Sequence, residues 1–130
     1  MLKHGILNPA LLELLARFRH TNTLVVADRG FPFYPQLPTV DISLVDNIPT
    51  VRQVLAAISA SYVVGAAWMA KEALSHNPPA VMDEYRRLLA PVEIRFEGHY
   101  TEFKPRVPGA IGIIRTGDTT QFGNIILESA

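Results

Sequence analysis

Residues 23–38 read TLVVADRGFPFYPQLP. Thr23 to Ala27 is a short, continuous run of apolar and β-branched side chains, the pattern of a buried strand. Asp28-Arg29-Gly30 ends it with turn formers. Pro32, Pro35 and Pro38 cannot donate to a sheet ladder, so 31–38 is expected to be a rigid loop.

The elements on either side follow from this strand. Upstream, Asn8-Pro9 predicts a helix start, because Asn8 can cap free amides and Pro9 has no N–H to lose in the first turn. Leu11, Leu12, Leu14, Leu15 and Phe18 supply its apolar stripe. Downstream, Thr39 to Val45 alternates in part and predicts a short strand. Thr50 to Ser59 predicts a helix, with Val51, Val54, Leu55 and Ile58 at helical spacing. Tyr62 to Met69 starts as a strand, although its composition also suits a helix. Asn77-Pro78 repeats the cap-plus-proline signal ahead of Val81, Met82, Tyr85, Leu88 and Leu89. Val92 to Phe96, Ala110 to Ile114 and Ile125 to Leu127 predict three more strands, the last two joined by a loop over 115–123. Strands alternating with helices predict an α/β fold. The expected form is a single compact domain over 1–130, with a mostly parallel or mixed central sheet flanked by helices.

Composition narrows the functional classes. The 130 residues carry 12 lysines and arginines against 12 aspartates and glutamates, a formal net charge of zero. Without a basic field, nucleic acid is not an expected partner. There is no cysteine, so disulfides, thiolate metal sites and thiol nucleophiles are all excluded. Pro9 and Glu13 interrupt any export signal in MLKHGILNPALLELL. The apolar stretch Val63 to Ala70 is far shorter than the ~18 residues of a membrane span. The expectation is therefore a cytoplasmic protein with no membrane association. Zero net charge with 48% hydrophobic residues also points to assembly, since apolar surface is better hidden between subunits.

No phosphate-binding, nucleophile-elbow or zinc-protease motif is present. His4, His20, His76 and His99 are not spaced as ligands of a local metal site. Isolated polar residues beside apolar strands remain. His20, between the first helix and the first strand, could move a proton near neutral pH or simply favour the negative end of the helix dipole. Asp28 lies where open α/β sheets bind ligands, at the carboxyl end of a strand, or is a turn aspartate bonding the backbone before Gly30. Asp41 could be a second site carboxylate or could satisfy loop amides. His99 could hold a ligand hydroxyl or be a solvated loop residue. The Asn124 amide, which both donates and accepts, suits sugar hydroxyls or a strand-edge turn. His4 and His76 read as surface residues; Trp68 and the tyrosines read as core or interface.

Taken together, HTNTLVVADRGFP (20–32), TVDISLVDNIPTVRQVL (39–55), VEIRFEGH (92–99) and IIRTGDTTQFGNIIL (113–127) resemble the ribose pyranase and fucose mutarotase family of small sugar-isomerising proteins. The resemblance spans nearly the whole chain. It implies a mutarotase or pyranase that interconverts anomeric or ring forms of a fucose- or ribose-like sugar by metal-free general acid/base catalysis. It implies a ring-forming homo-oligomer, a decamer of two stacked pentamers, with a monosaccharide bound between subunits and no cofactor. His20 would be the proton donor and Asp28 the base or orienter, with Asp28, His99, Phe122, Gly123 and Asn124 contacting substrate. Two positions depart from the family pattern. Phe122 stands where tyrosine is usual, so Tyr100 or His99 takes over the phenol's role or the activity is altered. Arg29 replaces a small residue, and could recognise an acidic sugar or pair with Asp28. A non-catalytic sugar-binding ring is the competing reading. An extended strand rises ~3.3 Å per residue, which would leave His20 and Asp28 near its opposite ends. A neighbouring subunit supplying one of them would bring them together.

Overall fold

The computed structural model describes residues 1–130. Its six strands are β1 (Thr23–Ala27), β2 (Thr39–Asp41), β3 (Val64–Ala70), β4 (Ile94–Glu97), β5 (Ile113–Arg115) and β6 (Ile125–Ser129), forming one sheet in the order β2-β5-β1-β6-β3-β4. β1 and β2 run parallel to β5, and β3 runs parallel to β4. β6 is antiparallel to both of its neighbours, β1 and β3. Five strands therefore end at the same edge of the sheet, and only β6 begins there. This is the mixed α/β sheet expected from the sequence.

The helices are α1 (Pro9–Ala16), α2 (Val51–Ser59), α3 (Glu72–His76), α4 (Pro79–Leu89) and α5 (Lys104–Arg106), with a π-helical turn over His99–Phe103 and a 3₁₀ turn over Val107–Gly109. Asn8 caps α1 as predicted, its side chain accepting the Leu11 N–H at 3.0 Å. Thr50 and Gln53 close a reciprocal capping box at the start of α2.

Strand side chains alternate between two apolar layers. Leu24, Val26, Met69, Ile114, Ile125 and Leu127 face α1, α2 and α4. Val25, Trp68, Ile113 and Ile126 face Phe31, Phe103, Val107 and Ala110. Burial on both faces explains why β1 is apolar at nearly every position.

Several elements depart from the sequence reading. β2 stops at Asp41, because the chain turns through Ser43 into a bridge between Val45 and Ile48. Asn77 does not cap α4: its amide donates to the carbonyls of Ala73 and Gln121 instead. α3 and the π-helical turn were not anticipated. In α3 only Ala73 is buried, too little for a readable stripe.

Leu55, fully buried on α2, is expected to be sensitive to truncation. Leu55→Ala should lose about 2–5 kcal/mol, and Val63→Ala, at an exposed position, about 0.5 kcal/mol or less. Urea unfolding of the two variants checks the contrast.

Candidate functional site

The reversal of β6 brings distant residues together. Because β6 starts where β1 ends, Asn124 lies beside Asp28. The Asp28 N–H donates to Asn124 Oδ1 at 2.7 Å, and Asn124 Nδ2 donates to Asp28 Oδ2 at 3.1 Å. Asp28 Oδ1 also accepts the Gly30 N–H at 2.9 Å. Asp28 is thus both a turn aspartate and a residue of the carboxyl-end cluster. Asn124 is buried and keeps one amide hydrogen free of Asp28.

His99 enters the same edge from the end of β4. It is 8% exposed, not a solvated loop residue. Its ring is 5.1 Å from Phe122, 4.7 Å from Tyr100 and 5.9 Å from Phe103, centroid to centroid. Its backbone N–H donates to the Glu72 carboxylate at 3.1 Å. Its Nδ1 is buried without a partner. Phe122 has a left-handed backbone, φ 53°, uncommon for a residue with a side chain. Gly123 follows, its carbonyl accepting the buried Tyr85 hydroxyl at 2.9 Å.

His20 is elsewhere. It is exposed and precedes a tight turn at Thr21, whose N–H donates to Ser129 at the far end of β6. The turn does not fold back over β1. With a rise of ~3.3 Å per residue, the strand places His20 and Asp28 on the order of 15 Å or more apart. Within one chain, Asp28, His99, Phe122, Gly123 and Asn124 share an edge and His20 does not.

Residues overlooked in the sequence hold this edge. Thr116 and Asp118 are fully buried. The Thr116 hydroxyl donates to the Ala27 carbonyl at 2.8 Å. Asp118 accepts the Val51 N–H at 2.8 Å and the Thr120 N–H at 2.7 Å. The second bond is a local Asx turn, legible in Asp118-Thr119-Thr120; the first joins residues 67 positions apart and is not.

Arg29 does not pair with Asp28. Its guanidinium binds both oxygens of Asp46, at 2.7 and 2.8 Å. Asp41 satisfies its loop, accepting from the Ser43 N–H at 2.9 Å and the Ser43 hydroxyl at 2.5 Å. The cleft beside Asp28 has a volume of about 190 Å³ and only polar or glycine lining, including Arg29, Asp118 and Thr120. A larger cleft of about 430 Å³ lies away from this edge, against Arg86, Pro91 and Phe96; none of the clustered residues lines it. No three histidines or carboxylates converge as a metal-ligand set. No helix is long and apolar enough to cross a membrane.

Burial sets the electrostatics. It raises the Asp28 pKa above the ordinary 3.8, against the lowering effect of the Gly30 and Asn124 hydrogen bonds. It lowers His99 below 6.5, assisted by Lys104 and opposed by Glu72 and Asp28. Both groups are pushed toward their neutral forms.

Comparison with known proteins places this geometry in context. The whole chain, residues 1–130, matches the model of the RbsD / FucU transport protein family. It is 40% identical over 130 residues to a D-ribose pyranase of Chromobacterium violaceum, covering 99% of this chain and 97% of that one. It is 39% identical over 129 residues to a D-ribose pyranase of Geobacillus thermodenitrificans, covering 99% and 96%. The fold superposes on Bacillus subtilis RbsD complexed with D-ribose with a TM-score of 0.92 and 32% identity, covering 100% of this chain and 98% of that one. It matches a Streptococcus pneumoniae fucose mutarotase in complex with L-fucose with a TM-score of 0.82, over 99% and 98% of the two chains; at 21% identity this is a likeness of fold.

The two shifted groups give opposite pH responses. Unfolded His99 takes a proton more readily than folded His99, so it should cost stability as pH falls below 6.5. Folded Asp28 takes a proton more readily than unfolded Asp28, so it should return stability as pH falls toward 3.8. Urea midpoints against pH should therefore fall less steeply below 6.5 in His99→Gln, and lose the acid-side gain in Asp28→Asn.

Proposed function

Because the chain belongs to the RbsD / FucU family, we propose that it is a sugar pyranase or mutarotase, interconverting ring or anomeric forms of a ribose- or fucose-like monosaccharide by general acid/base catalysis. The carrying observation is the edge where Asp28, Asn124, His99 and Phe122 converge while His20 stands at the far end of the same strand. Opening a sugar ring takes a proton from the anomeric hydroxyl and gives one to the ring oxygen; closure reverses both. Proton transfers are all this chemistry asks for, and each positioned transfer contributes typically about 10²–10⁴-fold. In this reading Asp28 is the base or orienter, and its raised pKa suits proton exchange better than that of a solvated aspartate. His99 and Asn124 hold hydroxyls, and Phe122 and Gly123 form the wall of the site.

His20 is the acid, and it comes from a neighbouring protomer. The proposed assembly is a ring-forming homo-oligomer, a decamer of two stacked pentamers with sites at the subunit seams. The exposure of Phe33, Leu44, Val45 and Ile48 supports burial against a second copy. The last three are tied to the site edge through the Asn47 N–H, which donates to Gly117, and Asn47 Oδ1, which accepts from Thr119.

A neutral sugar suits the cleft better than an anionic one. Arg29 is held by Asp46, and Asp28 and Asp118 line the same cleft. Ribose should therefore bind more tightly than ribonate, and Asp46→Asn, which frees Arg29, should narrow the gap. Calorimetric titration of both ligands against both proteins decides it; tighter ribonate binding by the wild type would reverse the assignment.

Phe122 favours one alternative, a ring that binds sugar without turning it over, because a phenyl group relays no proton. NMR exchange between anomers separates the readings. The wild type should accelerate exchange, and His20→Ala should lose about 10²-fold or more of that acceleration. Co-expressed His20→Ala and Asp28→Asn chains should regain part of it, since mixed seams restore intact sites. Sugar binding without accelerated exchange would establish the binder, and no recovery in the mixed assembly would place His20 outside a shared site.

A further inference from the structure

α3 and the residue after it reach the candidate site three times. Both Glu72 carboxylate oxygens accept the His99 backbone N–H, at 3.3 and 3.1 Å. The His76 ring packs against Phe122 with centroids 4.9 Å apart and planes tilted by 59°. Asn77 Nδ2 donates to the carbonyl of Gln121 at 2.8 Å. The segment is itself anchored: His76 Nδ1 lies 2.7 Å from the Glu72 carbonyl oxygen, which can only accept, so Nδ1 carries the hydrogen. Asn77 Nδ2 also binds the Ala73 carbonyl at 2.9 Å.

These contacts fall on the two stretches, 98–103 and 121–124, that carry His99 and the Phe122 wall. α3 contributes little to the core, burying only Ala73, so its placement is explained by these polar and ring contacts rather than by apolar packing. Phe122 needs such support. A left-handed non-glycine residue costs on the order of 1–3 kcal/mol and persists where its surroundings hold it. The imidazoles of His76 and His99 both pack against its ring, 4.9 and 5.1 Å away.

We propose that residues 72–77 are the positioning element of the sugar site, with Glu72 fixing His99 and with His76 and Asn77 fixing Phe122. The proposal rests on the reading that this edge binds sugar. Glu72 and His76 are positioning residues, acting through His99 and Phe122. The charged groups around the His99 ring are Glu72, Asp28 and Lys104, with Lys71 next to Glu72 in sequence. Glu72 and Asp28 favour the imidazolium against burial and Lys104, so Glu72 holds the backbone that carries the ring and also contributes to its protonation.

The test pairs two substitutions at each of two positions. Glu72→Gln keeps an acceptor for the His99 N–H and removes the charge; Glu72→Ala removes both. In the sugar-free protein, the His99 titration followed by imidazole NMR should move to lower pH in both variants. In the exchange assay, Glu72→Ala should raise KM about tenfold, the effect of one lost hydrogen bond worth ~1.4 kcal/mol, while Glu72→Gln stays within about threefold of wild type. His76→Ala should raise KM with a smaller change in kcat, and His76→Phe, which keeps a ring against Phe122, should restore it. Thermal midpoints identify any variant that fails to fold, and Glu72→Gln and His76→Phe keep the measurement open if an alanine variant does. An unmoved His99 titration in Glu72→Gln, or wild-type KM in folded Glu72→Ala and His76→Ala, would overturn the positioning role. A wild type that neither binds sugar nor accelerates exchange would instead overturn the sugar-site reading, whatever the His99 titration does.

Discussion

The reciprocal hydrogen bonds between Asp28 and Asn124 join the end of β1 to the start of β6, and the candidate site is built around that join. They exist because one strand of six runs against the others. Had β6 been parallel to β1, Asn124 would lie beside Thr23 and Asp28 would lack its amide partner. The antiparallel insertion also lets the loop over 116–123 return along the sheet edge. There Thr116 ties it to β1, and Asp118 ties it to the first amide of α2. A backbone constraint, the direction of one strand, thus becomes a chemical one: a carboxylate, an amide and a left-handed aromatic residue held together at one edge of the sheet.

The core was legible because its signal is local. β1 is apolar at successive positions since both sheet faces are covered, and α2 shows its buried face as Val51, Val54, Leu55 and Ile58 at helical spacing. Asn8-Pro9 worked as a helix start for the same reason, with donor and acceptor three residues apart. The identical pair Asn77-Pro78 also precedes a helix, α4, but Asn77 does not cap it. Its amide found a carbonyl 44 residues away in the loop before Phe122, and nothing near residue 77 announces that partner. α3 and the turn over 99–103 escaped notice because neither repeats an apolar period long enough to read.

The same distinction divides the site. Residue type and strand-end position pointed to Asp28 and Asn124, and the structure brings them together. The burial of His99 was not readable, because it arises from Phe103, Phe122 and Glu72, which come from separate segments. The partner of Arg29 is not legible in the sequence for a related reason. Sequence adjacency suggested Asp28, but the bridge between Val45 and Ile48 carries Asp46 to the guanidinium. An arginine chooses among carboxylates by geometry in space: Asp46 presents both oxygens to Nη1 of Arg29, whereas Asp28 already accepts from the Gly30 N–H and the Asn124 amide.

Asp28 and His99 are displaced in opposite directions for the same physical reason: removing a charge from water is costly whatever its sign. Desolvation leads the shift of each, raising the acid and lowering the base. An edge whose groups are already partly withdrawn from water suits exchange of hydrogen bonds with a neutral hydroxylated molecule, because part of their desolvation is met on folding. Arg29, the cation that could have turned the cleft toward anions, is held by Asp46. The limited desolvation at the sheet edge and the ion pair at its rim thus favour the same ligand class, although they arise from different segments. Phe122 fits that balance: its ring adds apolar surface against the two imidazoles without adding a group that must be hydrated or paired.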